Sequence, residues 1–350
     1  MLYHSILAFA WAFLISVFAI PSIIQVAHKK KLLDEPNIRT VHHSLIPRLG
    51  GLAIFAGIVS AITIFGKVEN GIQQVLASAV LIFFIGLKDD MVSVSVFKKF
   101  FVQVLASGII LFNADIRITD FQGIFGLGKL DFGMSYGITF LFIIGITNAL
   151  NLIDGLDGLA GTIVSIIAFT LGIYFFIFGS PQAQPYGLLS FALLGGIGGF
   201  LRYNFHKAII FMGDTGSLVC GFIISVLVIK FIELRPVNNS PILGFAILFI
   251  PILDTLRVFF LRLINGVSPF LPDKNHLHHR LIFLGLSQIE TVIVLAIINV
   301  LAILSIQLLS FMPINYLLCL LVTYGILISI IVEIMVRFKK ERVSENLNKV

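Results

Sequence analysis

The chain is built from repeated apolar runs of about twenty residues, which is the length an α-helix needs to cross a bilayer. About eleven such runs are separated by charged residues, glycine and proline. A soluble domain could not bury so much apolar surface, because 58% of the residues are hydrophobic and only 12% are charged. The sequence therefore predicts an all-α polytopic membrane protein, with one transmembrane domain over residues 1–336 and a basic tail over 337–350. The predicted spans lie near residues 4–27, 49–65, 71–87, 100–113, 136–150, 161–178, 186–203, 216–232, 241–261, 288–310 and 314–336.

Basic residues are distributed unequally between the two sets of loops that these spans define. One set contains only Lys67, Arg117, Lys129, Lys230 and Arg235, and the other set, with the tail, contains the remaining lysines and arginines. The positive-inside rule places the richer set in the cytoplasm, so the N-terminus is predicted outside and the C-terminus inside. The net charge of +6 is then a signal of topology, and no nucleic-acid partner is expected.

The polar segments with chemical character all fall on the predicted cytoplasmic side. The opposite loops hold turn formers, and one of them, IRITDFQGIFGLGKLDF, alternates like a short external hairpin. A transporter is expected to keep ionisable groups near the bilayer midplane, within two related halves. Because the polar segments instead gather at one membrane face, the sequence favours an enzyme that acts at the membrane surface. The segments are HKKKLLDEPNIRTVHHSLIPRLGG, KDDMVSVSVFKK, NALNLIDGLDGLAG, NFHKAIIFMGDTGS and SPFLPDKNHLHHRL.

The segment NALNLIDGLDGLAG places two amides and two carboxylates at every third position, at Asn148, Asn151, Asp154 and Asp157. On a continuous helix this spacing drifts by about 60° per step, so the four side chains would fan around half of the helix. With three glycines in the segment, the pattern predicts a helix that opens into a loop, where polar groups converge on a ligand. An ordinary Asn-, Asp- and Gly-rich turn is the alternative.

Two further segments carry carboxylates at helix ends. Asp89 and Asp90 are adjacent at the end of the third predicted span, and Lys98 and Lys99 follow them. Adjacent carboxylates repel each other, so they favour a shared cation, although a solvated helix end is the alternative. In FMGDTGS, Asp214 precedes an apolar helix, where it can either cap that helix or bind a divalent cation.

A histidine-rich segment follows the ninth predicted span. His276, His278, His279 and Arg280 lie in what the sequence predicts to be a long, exposed loop. These side chains suit an anionic substrate, because they donate hydrogen bonds to phosphate oxygens. Zinc is a weaker alternative, since no cysteine is nearby and HxHH lacks the HExxH helix of a metalloprotease. A surface loop without chemistry is the other alternative.

Taken together, these motifs resemble one family, the polyprenyl-phosphate N-acetylhexosamine-1-phosphate transferases. The resemblance covers about residues 30–285, and the motifs appear in the family's order. The HLHHR segment resembles the branch that transfers N-acetylglucosamine 1-phosphate, because the muramoyl-pentapeptide branch normally carries three consecutive histidines followed by Phe and Glu. The matching features are Asp34, Pro36, Arg39, His42, Pro47, Arg48, Gly50 and Gly51, then Asp89 and Asp90 with Lys99 and Gln103, then NALNLIDGLDGLAG, FMGDTGS, PILDTLRVFFLR and PDKNHLHHRL.

The resemblance implies a magnesium-dependent enzyme of the cell membrane, with Mn²⁺ as an alternative metal. The expected reaction transfers N-acetylglucosamine 1-phosphate from a UDP-sugar donor to polyprenyl (undecaprenyl) phosphate and releases UMP on the cytoplasmic side. This would be the first membrane step in making a cell-envelope glycan. Another UDP-N-acetylhexosamine remains an alternative donor. A transporter of anionic metabolites and an inactive scaffold protein remain alternative functions. Whether the chain forms a homodimer stays open.

The resemblance also implies roles for individual residues. Asp214 is the expected metal ligand, with Asp89 and Asp90 near the metal and the lipid phosphate, and His279 joins the catalytic set. Asp89 would act as a base or organise the phosphate, while a covalent aspartyl-phosphate route stays open. The lipid needs an apolar groove, which the sequence does not locate. The expected substrate-binding residues are Asn148, Asn151, Asp154, Asp157, Asn204 and Phe211 for the nucleotide, and Arg48, Lys99, His276, His278, His279 and Arg280 for the diphosphate or sugar.

Overall fold

The computed structural model describes residues 2–32, 45–67, 69–124, 126–267 and 275–347, without the side chains of 343 and 345–347. Over these residues the chain is almost entirely helical, with one short hairpin. The helices are α1 (Leu2–Lys30), α2 (Gly50–Phe65), α3 (Ile72–Met91), α4 (Val96–Gly108, continued by a π-turn over Ile109–Asn113), α5 (Phe132–Leu152), α6 (Leu159–Ile177), α7 (Gln184–Asn204), α8 (Gly213–Leu234), α9 (Ser240–Ile247), α10 (Phe249–Ile264), α11 (Leu277–Leu284), α12 (Gln288–Leu308) and α13 (Ile314–Leu347).

Each of the predicted apolar spans coincides with a helix or a helix pair. Within the described ranges, nine helices are long and apolar enough to cross a membrane. A tenth span would be the pair α9 and α10, which bends by 73°, and α2 is shorter, with 16 residues. The prediction of an all-α polytopic membrane protein is confirmed, while the number of crossings and the orientation of the termini stay predictions.

Two segments are more helical than the sequence indicated. The last helix continues to Leu347, through most of the predicted tail. The histidine segment, predicted as a loop, contains α11, whose Leu277 and Leu281 are buried one turn apart. Apolar residues at this spacing give a short helix one face to bury, so packing stabilises it where local propensity alone would not.

The predicted hairpin is confirmed, while its external location stays a prediction. Strands β1 (Asp120–Ile124) and β2 (Leu127–Lys129) pair antiparallel, with Asp120 opposite Lys129. The segment before β1 is tied to the end of α8, because the backbone N–H of Thr119 donates to Glu233 Oε1 at 2.8 Å. The hairpin connects the end of α4 to the start of α5, so it lies at one end of the bundle.

Helix α8 forms the centre of the bundle, and almost all of its residues are buried. α2, α3, α5 and α6 pack around it, and α1 and α7 form an outer layer with α2. Gly86 lets α3 approach the first turn of α8, since a Cβ at that position would lie 2.6 Å from Thr215 Cα. The ends of α3 and α5 therefore meet the starts of α4 and α8, and we call this the polar end.

Candidate active site

A lysine joins two carboxylates at the polar end. The Nζ atom of Lys99, in α4, lies 3.0 Å from Asp89 Oδ2 and 2.7 Å from Asp214 Oδ2. Asp89 also accepts a hydrogen bond of 2.6 Å from the backbone N–H of Val94, which holds the turn between α3 and α4. Carboxylate oxygens from α3 and α8 thus converge on one point, and an ammonium group occupies that point.

Asp90 points to a different partner from its neighbour Asp89. Its Oδ1 accepts the backbone N–H of Asp214 at 2.7 Å, and its Oδ2 accepts the backbone N–H and the hydroxyl of Thr215 at 2.9 and 2.5 Å. A carboxylate there satisfies free N–H groups at the start of α8 and interacts favourably with the helix dipole. Asp90 of α3 therefore caps α8.

The alternative in which Asp214 is simply the cap of α8 is wrong. Its carboxylate contacts Lys99 and also accepts a hydrogen bond of 3.2 Å from Asn151 Nδ2. The same amide group donates to Ser217 Oγ at 2.8 Å, so Asn151 connects the last turn of α5 with the first turn of α8. Sequence reasoning missed Ser217, although its position three residues after Asp214 places both on one helical face.

The predicted change from helix to loop within NALNLIDGLDGLAG is confirmed, because α5 ends at Leu152 and turns follow. Asn148 lies on the helix and exchanges hydrogen bonds with the buried Gln103, of 2.9 and 3.3 Å. Asp154 lies in the loop that follows. Burial and the nearby carboxylates of Asp214 and Asp90 raise the pKa of Asp154 to about 7, with Arg48 opposing the shift.

Asp157 and Asn204 connect two loops of the site. Asp157 Oδ2 accepts the backbone N–H of Ala208 at 3.0 Å. Asn204 Oδ1 accepts the N–H of Gly158 at 2.9 Å, and its Nδ2 donates to the carbonyl of Ile210 at 2.9 Å. Both side chains are buried, so they hold the loop after α5 against the loop before α8. Uridine binding by these residues stays a prediction.

Arg48 and Phe211 lie on two segments that pair with each other, just before α2 and just before α8. The backbone N–H of Phe211 donates to Pro47 at 2.8 Å, and that of Gly50 donates to Phe211 at 2.9 Å. This pairing holds the start of α2 beside the start of α8. Arg48 is exposed, and it is close enough to Asp154 to affect the pKa of that carboxyl group. The residues Asp34, Pro36, Arg39 and His42, which the family resemblance also includes, lie outside the described residues.

The histidine segment is more buried than the sequence predicted. His276 and His278 are 5% and 2% exposed, so the prediction of an exposed loop is wrong for both. His276 Nδ1 lies 2.8 Å from Asp254 Oδ2, and Asp254 Oδ1 accepts the backbone N–H of Leu277 at 2.6 Å. Asp254 of α10 therefore fixes the start of α11.

His278 joins α11 to the loop after α5. A Cβ at Gly155 would lie 2.6 Å from His278 Nε2, so the glycine allows the imidazole to pack against this loop. Burial, with the neighbouring His279, lowers the pKa of His278 to about 3. The imidazole is therefore neutral at physiological pH. His279 and Arg280 are less buried than His276 and His278, although neither is fully exposed.

Three arginines lie close to Glu333 beside this segment: Arg257, Arg280 and, one turn further along α13, the exposed Arg337 at 3.8 Å. Arg257 donates to the carbonyl of Asn275 at 2.6 Å and to Glu333 Oε2 at 3.2 Å. Arg280 Nη2 donates to Asn275 Oδ1 at 2.5 Å and lies 3.7 Å from Glu333 Oε2. Sequence reasoning missed Glu333, and the available signal was a single acidic residue within the last apolar span.

Two cavities lie beside the residues described above, one at Arg257 and Glu333 and the other at Asp157. An apolar groove of about 800 Å³ lies between α10 and α13, with Phe121 at one end and Arg257 and Glu333 at the other. A polar cavity of about 480 Å³ lies beside Asp157 and is also lined by Lys207.

The acidic residues at the polar end suit a hard divalent cation. In the described part of the chain, no group of three or more His, Cys, Asp or Glu side chains could hold a metal by itself. Asp89 and Asp214 nevertheless direct one oxygen each at the same cationic point, where Lys99 lies. Mg²⁺ is usually bound by one or two carboxylates together with substrate phosphates and water. The two carboxylates therefore fit a metal that shares its ligands with a phosphorylated substrate.

Comparison with known proteins identifies the family. Residues 72–232 match the model of glycosyl transferase family 4. The chain is 36% identical over 294 residues to a probable undecaprenyl-phosphate N-acetylglucosaminyl 1-phosphate transferase of Bacillus subtilis, covering 82% of this chain and 81% of that protein. It is 32% identical over 313 residues to a decaprenyl-phosphate N-acetylglucosaminephosphotransferase of Mycobacterium tuberculosis, with coverages of 81% and 77%. The chain belongs to the polyprenyl-phosphate N-acetylhexosamine-1-phosphate transferases of glycosyl transferase family 4.

Proposed function

We propose that the protein transfers N-acetylglucosamine 1-phosphate from UDP-N-acetylglucosamine to polyprenyl phosphate at the cytoplasmic face of the membrane. An oxygen of the acceptor phosphate attacks the β-phosphorus of the donor. The bond between that phosphorus and the oxygen bridging to the α-phosphate breaks, and the electron pair leaves with UMP. The product is polyprenyl diphospho-N-acetylglucosamine. Relatives named for this transfer, at 28 to 36% identity, support the assignment.

The observation that carries the proposal is the convergence of Asp89, Lys99 and Asp214 at the end of an apolar bundle. The reaction brings two anions together, so positive charge must neutralise them during the displacement. A divalent cation held by Asp214 and Asp89, Mg²⁺ by our proposal, would supply charge neutralisation at the diphosphate. Lys99, released from these carboxylates, is then free to donate to a phosphate oxygen.

The site has little need for a strong base. A phosphate monoester is already largely ionised at neutral pH, since its second pKa is about 6. Asp89 is therefore best placed as an organiser of the metal and the acceptor phosphate. Asp90 supports the same site indirectly, because it fixes the backbone of Asp214.

The apolar groove supports a lipid acceptor. The segment of α13 that lines it, from Leu318 to Glu333, extends about 22 Å at 1.5 Å per residue. This length is comparable with a hydrocarbon core of about 30 Å. Arg257 and Glu333 are the charged residues in the lining of this groove.

For the nucleotide we propose the surroundings of the loop after α5. The polar cavity beside Asp157 has room for a nucleoside, and Lys207 supplies a cation at its wall. Asn151 donates a hydrogen bond to Asp214, and Asp154 of this loop is close to Asp214, so we propose that both line the path of the diphosphate. Phe211 is the proposed stacking partner for the uracil ring.

Purified protein tested with a panel of UDP-sugars, polyprenyl phosphate and Mg²⁺ should release UMP fastest from UDP-N-acetylglucosamine. The HLHHR segment motivates this expectation. A preference for the muramoyl-pentapeptide nucleotide would contradict the branch assignment. Transport of labelled substrate into sealed vesicles without UMP release would favour a transporter instead.

The site is expected to face the cytoplasm, which cysteine labelling can test. Cys220 and Cys319 are first replaced by alanine, and single cysteines are then introduced at the exposed positions Lys31 and Asn238. The Asn238→Cys variant should react with an impermeant thiol reagent on intact cells, and Lys31→Cys should react only after lysis. The reverse pattern would refute the proposed topology.

A further inference from the structure

Asn299, near the middle of α12, is a fully buried amide within a predicted membrane span. Its side chain contacts the junction between α9 and α10, where the chain bends by 73°. Asn299 Nδ2 donates to the carbonyl of Ile247 at 3.2 Å, and Asn299 Oδ1 accepts the backbone N–H of Ile250 at 3.0 Å. One amide group therefore bonds the last residue of α9 and the first turn of α10.

Pro251 explains why the carbonyl of Ile247 needs this donor. In an uninterrupted helix that carbonyl would accept the N–H of the residue four positions later. The residue at that position is Pro251, which has no N–H. An unpaired backbone carbonyl is costly at membrane depth, because no water is there to bond it. Asn299 thus supplies the hydrogen-bond donor that the proline lacks.

A second proline shows what a donor alone achieves. Pro21 lies inside α1 and leaves the carbonyl of Val17 without its helical partner. The hydroxyl of Tyr203, from α7, donates to that carbonyl at 3.0 Å, and α1 continues through the proline. Tyr203 contributes only a donor there, whereas Asn299 also accepts the N–H of Ile250 from the other side of the junction. The acceptor half of the amide therefore distinguishes the bent pair from the continuous helix.

The bend determines where Asp254 lies. Asp254 is one turn after Ile250, about 9 Å along α10 from the junction at 1.5 Å per residue. Straightening a bend of 73° would displace it by about 10 Å. Asp254 could then no longer hold His276 and the N–H of Leu277, which it bonds at 2.8 and 2.6 Å. The start of α11 therefore depends on the bend.

We propose that Asn299 is a positioning residue for the transfer reaction. It maintains the bend between α9 and α10, and so places Asp254 where this carboxylate fixes His276 and the start of α11. The inference rests on the proposed function, because it takes the histidine segment as part of the active site. Asn299 contacts no substrate, and its effect on the reaction passes through α10.

Asn299→Leu is the main test, because it removes both hydrogen bonds and keeps a side chain of similar size. Turnover, measured as UMP release, should fall by about a hundredfold, the usual effect of displacing residues of a site. Tyr203→Phe is the matched control, since it removes a hydrogen bond to a carbonyl that a proline leaves unpaired, in a helix that does not bend. It should lower the thermal unfolding midpoint and retain turnover. Equal losses of turnover in the two variants would overturn the inference.

A double variant separates positioning from stability. Pro251→Ala restores an N–H that can donate to the carbonyl of Ile247, so a straight helix no longer contains an unpaired carbonyl. In Asn299→Leu combined with Pro251→Ala, the unfolding midpoint should therefore recover while turnover stays low. Recovery of turnover together with stability would show that Asn299 only stabilises the fold. If Asn299→Leu alone does not fold, the double variant still provides the test.

The remaining single variants test the path to the site. Pro251→Ala alone should retain turnover, because Asn299 still accepts the N–H of Ile250. A loss equal to that of the double variant would assign the bend to the proline instead. In an Asp254→Ala background the loss caused by Asn299→Leu should shrink, because both changes release His276. An undiminished loss would contradict the proposed path.

Hydrogen exchange at the N–H of Leu277 measures the same displacement without reference to activity. Exchange should be faster in Asn299→Leu and in the double variant than in the unmodified protein, because Asp254 no longer accepts this N–H. It should be unchanged in Tyr203→Phe. Unchanged exchange in Asn299→Leu would overturn the inference, whereas absence of UMP release by the unmodified protein would refute the proposed function.

Discussion

Asp214→Asn is expected to reduce turnover by about a thousandfold, which corresponds to about 4 kcal/mol of transition-state stabilisation. The carboxylate of Asp214 faces Lys99 and Asn151 and does not cap its own helix, so the amide removes charge from the site without removing the cap. Binding of the UDP-sugar without metal should survive in part. If the lost charge acts through the metal, raising Mg²⁺ should restore some of the rate. UMP release at several Mg²⁺ concentrations measures both effects.

A matched control exists at the opposite end of the bundle. Asp131 is exposed and caps α5 through a hydrogen bond from the N–H of Met134. Asp131→Asn makes the same change from carboxylate to amide, and asparagine is an equally good cap, so activity should be retained. Wild-type turnover in Asp214→Asn, with an unchanged Mg²⁺ dependence, would show that the metal is held elsewhere.

Asp90→Asn is expected to destabilise the fold, by about 2 to 4 kcal/mol, because the aspartate accepts three hydrogen bonds from the first turn of α8. An amide offers one acceptor oxygen, and its NH₂ group would face a backbone N–H. The thermal unfolding midpoint in detergent micelles measures this loss. Turnover should fall as well, because the backbone of Asp214 loses its support.

Asp89→Asn is the informative comparison, because it makes the same substitution one residue earlier. The amide oxygen can still accept the hydrogen bond from Val94, so stability should be close to that of the unmodified protein, while turnover falls sharply. Asp90 would then act mainly on stability, and Asp89 mainly on turnover. Equal losses of stability in both variants would contradict the assignment of Asp90 as the cap of α8.

Much of the fold follows from patterns that are local in the sequence. The apolar runs predict the helices, and the alternation around Asp120 predicts the hairpin. The glycines after Asn151 predict the end of α5. The bend between α9 and α10 could not be predicted, because one continuous apolar run covers both helices. The short helix α11 was missed for a related reason: its stability comes from burying Leu277 and Leu281 against other helices.

The sequence also singled out most of the side chains that the structure brings to the polar end. It could not assign partners to them, because hydrogen bonds between helices depend on how the helices pack. Asp90 lies 124 positions from the backbone it caps, and Asn204 lies 46 positions from the N–H of Gly158. A predicted ligand-binding side chain and a side chain that holds two loops together look the same in a sequence.

The sequence by itself determined that this chain is a helical membrane protein, which family motifs it carries, and which polar residues gather at one end of its helices. Hydrophobic periodicity and residue identity are sufficient for this, because each acts over about twenty residues or fewer. Only the tertiary structure decided that Asp89 and Asp214 share Lys99, that His276 and His278 are buried, and that Glu333 lies close to Arg257 and Arg280. These relations join residues that are far apart in the chain, and they exist only once the helices have packed around α8.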